Sequence, residues 1–133
     1  MAHPKMFDDK DPTLARLSEI CLALPDADVK ISHGRPAFFT KKIFAGYGAV
    51  LKGEHESGRF DHALIFMPDQ NEAAAYLDND RFFVPAYWGP SGWLGVDLAP
   101  SDTDWAEVAE LVEDSFRATA TNKLIAQLDE LSQ

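Results

Sequence analysis

Between Asp28 and Leu51 the chain reads D-V-K-I-S-H-G-R-P-A-F-F-T-K-K-I-F-A-G-Y-G-A-V-L, and the period of its apolar residues decides the fold class. Val29, Ile31 and His33 alternate with Asp28, Lys30 and Ser32, which is the pattern of a strand with one buried face. Gly34, Arg35 and Pro36 supply a turn. Ala37 to Thr40 and Ile43 to Ala45 are apolar pieces joined by the basic hairpin turn Lys41-Lys42, and a further strand is predicted over Tyr47 to Leu51. After the polar loop Lys52 to Asp61 comes another strand, His62 to Met67, closed by Pro68.

Outward from these strands the period changes to three and four. Asp11 as N-cap and Pro12 at the first helical position open a helix with Leu14, Leu17, Cys21 and Leu24 on one face, and Pro25 ends it. Residues 1–10 are polar and aperiodic, which predicts a flexible tail before one domain over 11–133. Gln70 to Leu77 reads as a short helix and Trp93 to Leu98 as a strand. Past Pro100, Trp105, Val108, Leu111, Val112, Phe116 and Thr119 mark a long helix, and Thr121 caps a last one through Leu124, Ile125, Leu128 and Leu131. The sum is an α+β chain: a single antiparallel sheet packed against helices on one face. The other face meets water, meets a partner, or is shielded by a loop.

Charge limits the partners. With 22 acidic residues against 12 basic ones the net charge is −10, which repels nucleic acid and anionic membranes at long range. The basic residues Arg35, Lys41, Lys42, Lys52 and Arg59 nevertheless fall close together, while nine acidic residues follow from Asp97 onward. The single cysteine, Cys21, has no internal partner, no apolar run approaches a bilayer span, and the first residues lack a signal-peptide pattern. These features predict a cytoplasmic protein without a membrane partner.

Arg81 to Leu98, R-F-F-V-P-A-Y-W-G-P-S-G-W-L-G-V-D-L, is too aromatic for a linker and too broken by Pro and Gly for a helix. With L-P-D-A from Leu24, H-G-R-P-A-F from His33, K-I-F-A from Lys42 and D-W-A-E-V-A-E-L-V-E-D-S-F-R from Asp104, it resembles the MmcQ/YjbR family over nearly the whole chain after Asp11. The resemblance implies one antiparallel sheet against helices, similar to secretion chaperones. It also implies a DNA-binding-like protein of largely uncharacterised function.

Candidate site residues form two sets. Arg35, Lys41, Lys42 and Arg81 can pair with phosphates while Tyr87, Trp88 and Trp93 stack on bases; in the structural alternative the rings fill the core and the lysines are solvated. His33-Gly34-Arg35 combines a group that titrates near neutral pH with a bidentate anion contact; alternatively His33 is buried and hydrogen-bonded. No catalytic residue is assigned: Gly89-Pro90-Ser91-Gly92 is one residue short of a nucleophile elbow, and no phosphate-binding glycine loop occurs. His3, His33, His55, His62 and Cys21 show no closed ligand spacing, and Glu54-His55-Glu56 with Asp61-His62 reads as a solvated loop. No metal and no cofactor is therefore expected. The functional expectation is a small non-enzymatic binding module with nucleic acid as first partner. The alternatives are a protein-interaction or chaperone-like adaptor, homodimeric included, and an enzyme or binder of a small anionic ligand.

Overall fold

The computed structural model describes residues 5–54 and 58–131. In chain order these form α1 (Pro12–Leu22), β1 (Asp28–Ser32), β2 (Arg35–Phe39), β3 (Ile43–Ala49), β4 (Phe60–Phe66), α2 (Ala73–Leu77), β5 (Phe82–Phe83), β6 (Leu94–Asp97), α3 (Trp105–Thr119) and α4 (Asn122–Leu131). The strands make one sheet in the order β1-β2-β3-β4-β6-β5, with every neighbouring pair antiparallel. Among the described residues no helix is long and apolar enough to cross a membrane.

Caps begin the helices where the sequence places them. Asp11 accepts from the Thr13 and Leu14 amides, Asp104 from Ala106 and Glu107, and Thr121 Oγ1 from Leu124. Each answers an amide that the first helical turn leaves without an intrahelical acceptor.

Alternation along β4 divides the core. Leu64 and Phe66 face Leu17 and Cys21 of α1, Val112 and Phe116 of α3, and Leu124 and Leu128 of α4, all within one buried cluster. Ile65 faces the other way, into a smaller cluster with Ala49 and Trp93, on which Ile43, Met67, Phe83 and Trp88 pack. The second face is thus shielded by the aromatic loop between β5 and β6, one of the three outcomes the sequence leaves open. Between β2 and β3 the register steps by one residue, leaving Phe44 without a partner, and both Phe44 and Ala45 join the helix-side cluster.

Three local expectations are corrected. The expected strands Ile43–Ala45 and Tyr47–Leu51 merge into one, β3, which ends at Ala49, because Gly46 continues the ladder opposite Ala37 and Ile65. The hairpin after β1 turns at His33 and Gly34, with φ of 52° and 84°, while Arg35 and Pro36 belong to β2; positive φ at both central residues suits the tight turn between twisted strands. And β1 has no buried face: Val29 is 41 % and Ile31 57 % exposed, with His33 exposed beyond them. As the edge strand it lies past the helices that cover β3 and β4. Of the segment read as a tail, Met6 donates its amide to Gly34 O at 2.8 Å and Phe7 packs on the core.

Ser115 is a fully buried polar residue on the helix side of the sheet. Its hydroxyl donates to Phe44 O and accepts from the Met67 amide at 2.8 Å, tying α3 to β3 and to the end of β4. Ser115→Ala strands both buried groups, and we expect a loss of about 1–3 kcal/mol in denaturant unfolding with an unchanged slope.

Candidate functional site

A cavity of about 860 Å³ opens on the second face of the sheet, between β2, β3 and the loop 84–93. The Ala86 amide donates to Val50 O at 2.8 Å, which pins the start of the loop beside the end of β3, and a single 3₁₀ turn (Gly89–Ser91) brings the chain back. Trp88 is held edge-to-face against the buried Trp93, with centroids 5.0 Å apart at 67°. It stands over Gly46, where a Cβ would lie 3.8 Å from Trp88 Cζ2. Tyr87 lies on the rim, 79 % exposed, with φ of +70°. That left-handed conformation is an outlier for a bulky residue and costs about 1–3 kcal/mol.

Arg35 contributes the cavity's cation. Its Nη2 donates to Asp61 Oδ1 at 3.1 Å, its side chain is 14 % exposed, and its Nη1 is buried without a hydrogen-bond partner among the described residues. The guanidinium lies against Gly48, where a Cβ would stand 2.2 Å from Nη1. With φ of +88°, Gly48 is required both by its backbone and by the arginine beside it.

Four of the eight residues singled out from the sequence meet at this cavity: His33, Arg35, Tyr87 and Trp88. Lys42 and Trp93 line a shallower neighbouring groove with Lys30, and Lys41 is exposed in the turn between β2 and β3. Arg81 lies at the opposite edge of the sheet, just before β5. There it makes a bidentate pair with Glu107 of α3 at 2.9 and 3.1 Å and stacks over Phe82. The Glu107 hydrogen bonds hold its guanidinium above its ordinary pKa.

A second polar cluster lies on the helix side. Asp11 Oδ2 accepts from Tyr47 OH at 2.6 Å and lies 2.8 Å from His62 Nδ1, which is 2.7 Å from the same phenol. Burial pushes the Asp11 carboxyl up, yet hydrogen bonds from Tyr47 and the Thr13 amide, with the His62 charge, outweigh it and leave the group below its ordinary value. Burial, followed by the Asp11 hydrogen bond and charge, drives the Tyr47 phenol far up, so it stays a proton donor at neutral pH. The cluster is a clamp between α1, β3 and β4. Sequence reasoning found Asp11 as a cap but not this pairing, because Tyr47 and His62 lie 36 and 51 positions away.

Cys21 is sealed in the core, and burial raises its thiol well above the ordinary value, which keeps the reactive thiolate scarce. Among the described residues, no three His, Cys, Asp or Glu side chains stand together as a metal would need. His3, His55 and Glu56 lie outside the described residues.

The YjbR family matches residues 22–118, more than half of the chain, and the protein belongs to that family. No curated protein and no solved structure matches it.

The Asp11 clamp predicts an acid-side loss of stability. A carboxyl held below its unfolded pKa stabilises the fold at pH values above the unfolded pKa, and that contribution disappears as pH falls through the folded one. Unfolding midpoints should therefore drop below about pH 4. Asp11→Asn should flatten that dependence, and Tyr47→Phe should cost about 1–3 kcal/mol at pH 7.

Proposed function

We propose that the chain is a non-enzymatic binding module whose cavity takes a small, planar, largely apolar molecule bearing one anionic group. The observation that carries this reading is the strained, outward-facing Tyr87 at the rim of a cavity with Trp88 in its wall and the Arg35 guanidinium among its lining residues. That strain of about 1–3 kcal/mol is held at a ring turned mostly to solvent on the cavity's rim. A planar ligand between Tyr87 and Trp88 returns about 0.5–1.5 kcal/mol per aromatic pair beyond the area it buries. Arg35 Nη2 is taken by Asp61, and its buried Nη1, without a hydrogen-bond partner among the described residues, is the donor left for an anionic group.

Nucleic acid is supported less by this arrangement. A strand needs a row of cations along its phosphates, whereas Arg35 is held by Asp61 and Arg81 is held by Glu107 at the far edge. Lys41 and Lys42 remain for such contacts on a molecule of net charge −10.

Titration with the fluorescent anion 8-anilinonaphthalene-1-sulfonate tests the proposal, with neutral N-phenyl-1-naphthylamine and a single-stranded oligonucleotide as comparisons. The expected result is saturable binding of the sulfonate, weaker binding of the neutral ring, and loss of affinity in Trp88→Ala. Tyr87→Gly should bind more weakly while unfolding at higher denaturant, with a gain of about 1 kcal/mol from relieved strain. Equal binding of all three proteins, or preference for the neutral compound, overturns the proposal. An oligonucleotide that binds and is weakened by Lys41→Ala with Lys42→Ala supports nucleic acid instead.

A further inference from the structure

The edge strand β1 carries the inference, independently of the cavity. Its five residues present Val29 and Ile31 on the helix side of the sheet, where Val29 lies opposite Phe38, and Asp28 and Lys30 on the other side, opposite Phe39 and Ala37. Both apolar side chains are exposed. The Val29 amide is taken by the carboxylate of its own neighbour, Asp28 Oδ1, at 2.8 Å. That amide therefore faces the open edge, and because amides alternate in direction along a strand, the one at Ile31 faces it too.

From this pattern we infer that β1 pairs antiparallel with β1 of a second copy of the chain, with Val29 on the two-fold axis. In that register Val29 meets Val29 of the second copy, and each exchanges its amide and carbonyl with the other, the Asp28 carboxylate giving up the Val29 amide to reach Lys30 of the second copy. Asp28 then lies opposite Lys30 of the second copy, and Lys30 opposite its Asp28. These two pairs occupy the non-hydrogen-bonded positions, where side chains approach most closely. Val29 and Ile31 of both copies form one apolar strip on the helix side, beyond the cover that each copy's own helices supply. The register two residues along would set Lys30 against Lys30 of the second copy, and like charges directly opposite are destabilising. A lone edge lysine ordinarily blocks strand pairing. Here Asp28, two positions away, turns the same lysine into a register pin. The joined sheet would have twelve strands, six from each copy.

Sedimentation of the full chain over a concentration series tests this, with circular dichroism confirming that each variant stays folded. The expected result is a mass rising from 14.7 kDa toward twice that value, less readily at high salt. Lys30→Asp should weaken association roughly tenfold or more, and Asp28→Lys should do the same from the other side of the pair. Combining Asp28→Lys with Lys30→Asp should restore it, since the swapped charges again complement each other. A monomer at every concentration, a dimer indifferent to Lys30→Asp, or a double variant that fails to recover overturns the inference.

Discussion

The fold turns on one carboxylate. Asp11 begins α1 by accepting amides on one oxygen and fastens that helix to the sheet with the other, through Tyr47 of β3 and His62 of β4. A buried charge is tolerable only when its lone pairs are occupied, and here every partner is itself placed by secondary structure. Helix start, strand register and strand neighbour are therefore specified together. Moving any of the three leaves a buried anion short of partners, at a cost larger than most single apolar contacts supply.

The two faces of the sheet use different means of cover. On one side, helix stripes interdigitate with Phe38, Leu64 and Phe66, and Phe116 meets Phe44 edge-to-face. The other side is covered by a loop, which excludes water where Trp88 and Trp93 lie and leaves space beside them. A loop without a regular ladder of its own cannot tile a sheet as a helix does, so the gap beside Trp88 follows from the kind of element used.

Much of this architecture was legible in the residues. Helices with stop residues and apolar stripes, such as Pro25 after α1 or Val108, Leu111, Val112 and Phe116 in α3, declare themselves locally. What local pattern could not show was where a strand sits in the sheet. Val29 and Ile31 alternate as any half-buried strand does, and only the order β1-β2-β3-β4-β6-β5 reveals that they stand at an edge without cover. The two-residue β5 is too short for any periodicity at all. The site divides on the same line. His33, Arg35, Tyr87 and Trp88 were identifiable by type and converge, whereas Arg81 is indistinguishable from them in sequence and lies across the sheet beside Glu107. The Asp11, Tyr47 and His62 cluster joins residues whose individual signals are ordinary.

The placement of β5 at the far edge fixes an order of events as the chain emerges during synthesis. Among the described residues, Phe82 and Phe83 find their strand neighbour in residues made later, at Val96 and Gly95, and that neighbour must itself dock on β4. The intervening turn is therefore threaded into position only after a stretch beyond it has found its seat. Until then two adjacent phenylalanines wait with no ladder to join, and apolar side chains exposed in that way are what chaperones capture and what drives self-association.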